Sequence, residues 1–118
     1  MVSKHLSLKQ AKLLRQHVYI LKKLASSDNR DRRKILKNAP QELFQVLNII
    51  FQLLANGQLE LSKYRERKLG KHKKLIRSAS GLTGSHIKRK FSGQSGSTLA
   101  TVLSTVLPVI GKIIQSVF

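Results

Sequence analysis

The first part of the chain alternates apolar and charged positions with the period of an α-helix. Over residues 7–26, Leu14, Val18, Leu21 and Ala25 recur at spacings of three and four, with lysines and arginines between them. That spacing places the apolar side chains on one face of a helix. The Ser-Ser-Asp-Asn sequence that follows favours a turn and supplies N-cap residues for the next helix. We therefore predict an amphipathic helix over this range.

Two further helices are predicted before the composition changes. Residues 29–38 have acids at the beginning and lysines near the end, a polarity that suits the helix dipole. Residues 40–55 are apolar around nearly the whole circumference, which is typical of a helix buried inside a bundle. The Asn-Gly pair that follows predicts a left-handed C-cap. Residues 1–57 are therefore predicted to form a helical bundle with the third helix at its centre.

Basic residues dominate the next segment, residues 58–91. From residue 61 to residue 90 there are eleven lysines and arginines and one acid, Glu66, which leaves a net charge of +10. Each basic side chain that meets a phosphate releases condensed counterions, and this gives affinity without sequence information. The segment therefore predicts a nucleic-acid-binding surface. Its candidate contacts are Lys63, Arg65, Arg67, Lys68, Lys71, Lys73, Lys74, Arg77, Lys88, Arg89 and Lys90.

A helix with one weak point is predicted inside this basic segment. A serine at position 62 can cap a helix that runs to about Ser78. Gly70 in its interior favours a break, because glycine costs about 1 kcal/mol relative to alanine there. Tyr64 and Phe91 are the two aromatic side chains of the segment that could stack on bases. The alternative interpretation of the basic residues is a solvated face or a nuclear localisation signal.

The last part of the chain is apolar and is predicted to follow a flexible linker. The linker covers residues 92–98, which are rich in glycine and serine, and an amphipathic apolar helix covers residues 99–118. Pro108 and Gly111 predict a kink in that helix or its division into two halves. A coiled-coil-like seam with alternating spacings of four and three is formed by Leu99, Leu103, Val106, Ile110, Ile113 and Val117.

Three placements of this C-terminal helix are compatible with its pattern. It can pack onto the N-terminal bundle, associate with a second copy of the chain, or insert into a membrane. The stretch has the length of a membrane span, about 20 residues. Lys112 and several hydroxyl and amide side chains within it favour an interfacial helix or self-association over a stable span.

The overall charge identifies the kind of partner. The chain has 23 lysines and arginines against 5 acids in 118 residues, a formal net charge of +18. Repulsion on this scale opposes folding unless counterions or a polyanion screen it. Nucleic acid or an anionic membrane surface is therefore the expected partner. The chain has no cysteine, which excludes disulfides, thiol catalysis and cysteine-based zinc sites.

Signatures of catalysis are missing from the sequence. His5, His17, His72 and His86 do not pair at the spacing of three or four residues that metal ligands on one helix require. The Gly-Gln-Ser-Gly-Ser run lacks the last glycine of a nucleophile elbow. We expect no enzymatic activity, no metal site and no cofactor. His17 lies beside an apolar stripe and is expected at the edge of the core.

Four stretches in the second half of the chain follow the order found in one known family. The first is Leu54-Ala55-Asn56-Gly57, followed by Leu59, Leu61 and Ser62. The second contains Leu69, Lys71, His72, Lys73, Lys74, Ile76, Arg77 and Ala79. The third is Lys88-Arg89-Lys90-Phe91 with Gln94-Ser95-Gly96, and the fourth contains Leu103, Val106, Leu107, Pro108, Val109 and Ile110. With these stretches the chain resembles the small basic core proteins of adintoviruses and Maverick/Polinton-type elements, which are themselves compared with the adenovirus core protein X (mu).

This resemblance implies a virion core protein that condenses double-stranded DNA inside a capsid, with a location in the virion core and in the host nucleus during assembly. We therefore expect an all-α viral DNA-binding protein that neutralises double-stranded DNA without sequence specificity. One alternative is a membrane-active protein, in which the apolar tail inserts and the basic segment binds anionic head groups. Another is a capsid-associated protein that connects capsid protein and genome.

Overall fold

In a computed structural model of the protein, the described residues are 7–82, 84–92 and 96–117, with the backbone alone for eight of them, including Lys90 and Val117. These residues are all-α and form seven helices and no strand. The fold class predicted from the sequence is therefore confirmed. The helices are α1 (Leu8–Ser26), α2 (Asn29–Asn38), α3 (Gln41–Ala55), α4 (Lys63–Gly70), α5 (Lys73–Ser80), α6 (Gly84–Ser92) and α7 (Gly96–Val117).

Side-chain caps determine where the first two helices begin. The Ser7 side chain accepts a hydrogen bond from the Gln10 amide at 3.1 Å, and the Gln10 side chain accepts one from the Ser7 amide at 3.1 Å. This reciprocal pair is a capping box, which satisfies two amides that the helix itself leaves without partners. Asp28 caps α2 by accepting from the amide of Asp31 at 2.9 Å, as the turn sequence predicts.

The end of α3 is a left-handed glycine, as predicted. Gly57 has a φ of 65°, in a region that glycine adopts freely and other residues rarely adopt. The Gln58 amide donates to the Leu53 carbonyl at 2.9 Å, and the Gly57 amide donates to the Leu54 carbonyl at 3.2 Å. These two bonds make a Schellman motif. Local backbone chemistry therefore stops the helix at this point.

The central helix of the core is α3. Helices α1, α5 and α6 pack against it, and its side chains Leu43, Leu47 and Ile50 are fully buried. Phe51 of α3 stacks on Phe91 of α6, with the ring centroids 5.2 Å apart. Buried apolar side chains from all seven helices form one cluster. Because several of the helices have ten residues or fewer, this shared burial stabilises them more than helix propensity does.

The first part of the basic segment forms two helices instead of one. Helix α4 ends at Gly70 and α5 begins at Lys73, so the helix breaks at the predicted weak point. Leu69 at the end of α4 and Ile76 in α5 are both buried. Helix α4 packs against α7, whereas α5 packs against α3. The break allows each short helix to bury its apolar side chain against a different neighbour.

Helix α6 is not predicted by the sequence pattern as a separate helix. Its two buried apolar side chains, Ile87 and Phe91, are four residues apart. Two apolar positions in a short stretch flanked by glycines and serines give too little periodicity to predict a helix. The helix packs through this face against α3 and also contacts α2 and α7. Tertiary packing therefore defines α6.

Helix α7 runs through Pro108 and Gly111 as one helix and packs along α1. It is not divided into two halves at these residues. Pro108 and Ser104, four residues before it, are both exposed. The Ser104 carbonyl, which loses its amide partner to the proline, can therefore bond to water. Of the three placements that the sequence leaves open, the structure has α7 packed on the chain's own bundle.

Helices α6 and α7 extend into both ends of the predicted linker. Helix α6 includes Ser92, and α7 begins at Gly96. The predicted linker over 92–98 therefore begins and ends within helices, and residues 93–95 lie outside the described residues. Serine and threonine are compatible with the first turn of a helix, so α7 begins three residues before the first apolar position of the pattern.

Candidate nucleic-acid interface

Helix α4 presents basic side chains on the side that faces away from the core. Lys63, Arg67 and Lys68 are exposed, whereas Leu69 on the opposite side is buried. Lys63 and Arg67 are four positions apart and lie next to each other on the helix. Lys68 lies about 100° further round the axis than Arg67, and the half-buried Arg65 lies between Lys68 and the buried side. The four side chains of α4 that the sequence predicts as phosphate contacts are therefore spread over most of its solvent side.

Helix α5 also presents basic side chains to solvent. Lys73, Lys74 and Arg77 are exposed, whereas Ile76 and Ala79 are buried, and Lys71 in the turn before the helix is exposed as well. Eight of the eleven predicted contacts therefore lie on two consecutive short helices and the turn between them. We call these residues the α4–α5 basic surface: Lys63, Arg65, Arg67, Lys68, Lys71, Lys73, Lys74 and Arg77.

A cleft of about 310 Å³ lies between the end of α3 and helices α4 and α5. Lys73 and Arg77 line this cleft together with Leu54 and Ala55, the last residues of α3. Glu66 lines it too and is the one acid on α4 and α5. Because they share this cleft, the basic residues of α5 lie near the C-terminal end of α3.

The remaining predicted contacts, on α6, lie elsewhere on the molecule. Arg89 is exposed and Lys88 is half-buried. The Lys88 ammonium donates to the carbonyl of Lys37 in α2 at 3.4 Å and lies 5.8 Å from the ring centroid of Phe44, near the beginning of α3. The side chain of Lys90 lies outside the described part of the chain. The basic segment that is continuous in sequence is therefore divided between the two ends of α3.

The neighbours of α6 include basic residues that lie outside the basic segment of the sequence. Helix α2 packs against α6, and Arg30, Arg33, Lys34 and Lys37 of α2 are all exposed. They follow the spacing i, i+3, i+4, i+7, which places them on one face. That spacing is visible in the sequence, but the solvent side of any short helix would show it too. The contact between α2 and α6 is what joins this row to the basic residues of α6.

The two aromatic side chains of the basic segment differ in accessibility. Tyr64 is 72% exposed, next to Lys63 at the beginning of α4. Phe91 is 1% exposed and stacks on Phe51. The prediction that Phe91 could stack on a base is therefore wrong for this fold, because the core already covers its ring. Tyr64 is left as the aromatic residue of the segment with an accessible face.

Two of the five acidic residues, Asp28 and Glu42, have local structural contacts. Asp28 caps α2, and the Glu42 carboxylate lies 3.8 Å from Nε2 of His17. His17 is 6% exposed, and its Nδ1–H donates to the Leu13 carbonyl at 2.9 Å, which confirms the predicted position at the edge of the core. Among the described residues, no group of three or more His, Asp or Glu side chains could hold a metal ion.

The predicted seam of α7 faces the interior of the molecule. Leu99, Leu103, Val106 and Ile110 are fully buried, and Ile113 is half-buried. The side chain of Val117 is outside the described part. In this conformation the seam is used for intramolecular packing, so self-association or membrane insertion through it would require α7 to leave α1.

Comparison with known proteins gives no further guide to these surfaces. No family model, no curated protein and no solved structure matches the chain. The interpretation of the basic surfaces therefore depends on the charge, exposure and packing of the described residues themselves.

Proposed function

We propose that the protein binds double-stranded DNA through the α4–α5 basic surface and neutralises and condenses it without sequence specificity. The observation that supports this proposal is the presentation of eight lysines and arginines, exposed or half-buried, on α4, α5 and the turn between them, where Glu66 is the one acid. Such a surface binds phosphates by releasing condensed counterions. The role proposed here is non-enzymatic and needs no cofactor.

The composition of the surface favours backbone binding over reading of bases. Five of its eight residues are lysines, which act as flexible point charges on phosphates. The sequence contains no Asn or Gln between Gln58 and Gln94. Asn and Gln are the usual bidentate readers of adenine in the major groove. The surface therefore has the chemistry for positioning on phosphates and little of the chemistry for direct readout.

The resemblance to the core proteins of adintoviruses and Maverick/Polinton-type elements extends this proposal to a biological setting. A protein with this surface would act in the virion core, and in the host nucleus during assembly, by screening the repulsion between DNA segments. Contact with capsid protein belongs to the same proposal. In an assembled core the phosphates of the genome would supply the negative charge that a chain with a net charge of +18 lacks.

The test is a salt series with random double-stranded DNA and a surface variant. In K63Q/R67Q/K68Q/K74Q, four exposed charges are removed from the α4–α5 basic surface. The plot of log affinity against log salt should become shallower by about 0.9 for each lost phosphate contact. The matched control, K9Q/K12Q/K22Q/K23Q, removes four exposed charges from α1.

If the two variants lost the same amount of affinity for DNA, the proposed surface would be contradicted, because the loss would then reflect net charge alone. Weak binding of the wild-type protein at low salt would contradict DNA binding itself. Duplexes of different sequence should give the same affinities, since phosphate contacts carry no sequence information.

A second candidate function is membrane disruption by α7. The supporting observation is that residues Thr98–Gln115 of α7 are long and apolar enough to cross a membrane, with a mean hydropathy of 1.5 and 39% of the stretch buried in the fold. Leu107 and Ile114 are half-buried and lie on one edge of the helix. If α7 leaves the bundle, the same apolar surface can enter a bilayer.

This candidate is tested by dye release from vesicles of phosphatidylcholine and phosphatidylserine. The variant L107K/I114K places two charges in the apolar stretch, each unfavourable by about 2.5–3.5 kcal/mol at the centre of a span. Membrane activity predicts dye release by the wild-type protein and its loss in the variant, with DNA binding retained. The absence of dye release by the wild-type protein would contradict this second candidate function.

Truncation of the chain before α7 is a poor test of membrane activity, since it removes Leu99, Leu103 and Val106 from the core.

A further inference from the structure

A second basic surface lies on α2 and α6, apart from the α4–α5 basic surface. Its α2 part is the exposed row Arg30, Arg33, Lys34 and Lys37. The side of α2 away from this row contains the buried Leu36, which fixes the orientation of the helix. The basic row therefore faces solvent because the opposite side of α2 packs into the core.

Helix α6 extends this row with charges from a distant part of the sequence. The Lys88 ammonium donates to the Lys37 carbonyl at 3.4 Å, across 51 positions of the chain. Arg89, the next residue, is exposed. We call these six residues the α2–α6 basic surface: Arg30, Arg33, Lys34, Lys37, Lys88 and Arg89.

The two basic surfaces are at opposite ends of α3. Lys88 lies over the ring of Phe44 in the first turns of α3, whereas Lys73 and Arg77 line a cleft with Ala55, its last residue. A helical rise of 1.5 Å per residue separates Phe44 and Ala55 by about 16 Å along the helix axis. The two surfaces are therefore displaced from each other along α3, and most of the residues of each are exposed to solvent.

We propose that the α2–α6 basic surface binds a second segment of double-stranded DNA, so that one molecule bridges two duplexes. This inference rests on the proposed function, because it takes the α4–α5 basic surface as the site of the first duplex. It adds a mechanism to that function: two surfaces on one molecule hold two duplexes at a short distance, which neutralisation of a single duplex does not achieve.

The charge density of the α2–α6 basic surface fits a duplex. From Arg30 to Lys37 the row extends about 10 Å along α2. With both strands counted, double-stranded DNA carries one negative charge for about every 1.7 Å of its axis, so about six phosphates surround the duplex over this length and those on the near side face the row. The row and the two residues of α6 supply six positive charges, which is enough for the phosphates on the near side. The acids of α2, Asp28 and Asp31, lie at the beginning of the helix, where Asp28 caps it.

The experiment separates binding of one duplex from bridging of two. A biotinylated random duplex is captured on beads, a second duplex with a fluorescent label is added, and its protein-dependent retention is measured. Affinity for a single short duplex is measured in parallel by anisotropy. The test variant is R30Q/R33Q/K34Q/K37Q, and the control is the α1 variant K9Q/K12Q/K22Q/K23Q, which also removes four exposed charges. Circular dichroism and sedimentation check that both variants keep the fold and the oligomeric state of the wild-type protein.

We expect the α2 variant to retain at least tenfold less of the second duplex than the control does, while its affinity for a single duplex stays within a few-fold of the control. Bridging by the α2 variant at the level of the control would overturn the inference. So would a large loss of single-duplex affinity in the α2 variant, because both surfaces would then bind one duplex. If the wild-type protein binds no duplex at low salt, the proposed function itself fails, and this outcome is recognised in the anisotropy measurement before any bridging is measured.

Discussion

At the scale of single residues, two polar side chains at the edge of the core donate hydrogen bonds to carbonyls at the ends of neighbouring helices. Asn48 of α3 donates from its amide to the carbonyls of Leu82 at 2.8 Å and Ser80 at 3.2 Å, at the end of α5. These carbonyls lie at a helix end, where the helix itself provides no amide partner. Buried Arg32 does the same for the end of α1, since its guanidinium donates to the Ser27 carbonyl.

The first prediction concerns this cap on α5. Asn48→Ala should lower the free energy of unfolding by about 1–3 kcal/mol, because it leaves part-buried carbonyls without a donor. Asn48→Asp should lower it further, since a carboxylate only accepts hydrogen bonds and would face carbonyl oxygens. Urea unfolding followed by circular dichroism measures both effects.

Gln45→Ala is the matched control, because Gln45 lies on the same helix and is exposed. It should change the free energy of unfolding by no more than about 0.5 kcal/mol. If Asn48→Ala were as stable as this control, the hydrogen bonds from Asn48 to the end of α5 would not contribute to the stability of the fold.

At the scale of elements, α6 illustrates how a short helix with little periodicity is held. Its nine residues carry two buried apolar side chains, and one of them, Phe91, stacks on Phe51 in the centre of the core. The same docking brings Lys88 against α2 and so assembles the α2–α6 basic surface. The position of the charges on α6 therefore depends on the burial of Ile87 and Phe91.

The second prediction is that Phe91→Ala releases α6. Removal of a fully buried phenyl ring should lower the free energy of unfolding by about 3–5 kcal/mol. Hydrogen exchange of the α6 amides should accelerate more than that of α1, because α6 loses its main apolar anchor.

Tyr64→Ala provides the comparison, since the Tyr64 ring is 72% exposed. This substitution should leave stability within about 0.5 kcal/mol of the wild-type protein and α6 exchange unchanged. Equal protection of the α6 amides in Phe91→Ala and in the wild-type protein would show that the stack does not hold the helix.

At the scale of the whole molecule, the dominant feature is a charge of +18 on a body with principal extents of 38 × 29 × 24 Å. The screening length is about 30 Å at 0.01 M salt and about 10 Å at 0.1 M. At low salt each charge therefore interacts with charges across the whole molecule. Folding brings these charges closer than they are in the expanded chain, so repulsion lowers stability.

The third prediction follows from this repulsion. The free energy of unfolding should rise as sodium chloride is increased from about 0.01 to 0.15 M, and short duplex DNA should raise it more at equal ionic strength, because it binds the folded surface. Thermal unfolding at each salt concentration measures the effect. The α1 variant K9Q/K12Q/K22Q/K23Q, with four fewer charges, should show a weaker salt dependence. Stability that is insensitive to salt in both proteins would mean that the charges are too far apart to destabilise the fold.

The sequence by itself determined the features that depend on neighbouring residues. The helical period of α1, the apolar run of α3, the cap at Asp28, the left-handed Gly57 and the break at Gly70 each arise from side chains or backbone freedom within a few positions, and all are visible as spacing or residue type. The all-α class and the apolar C-terminal helix follow from the same local signals. The eleven basic residues of the predicted interface could be named from composition, but their arrangement could not.

Tertiary structure alone decided which surfaces meet. The apolar pattern of α7 is compatible with a bundle, a second copy or a bilayer, because the hydrophobic effect has no direction. The packing of α7 against α1, and to a smaller extent against α2, α4 and α6, selects the first. The burial of Phe91 and the contact between Lys88 and Lys37 likewise depend on residues about 40 and 51 positions away in the chain. For that reason a basic segment that is continuous in sequence is divided between two separate surfaces in space. The contribution of α2 to the second surface is found only in the folded molecule.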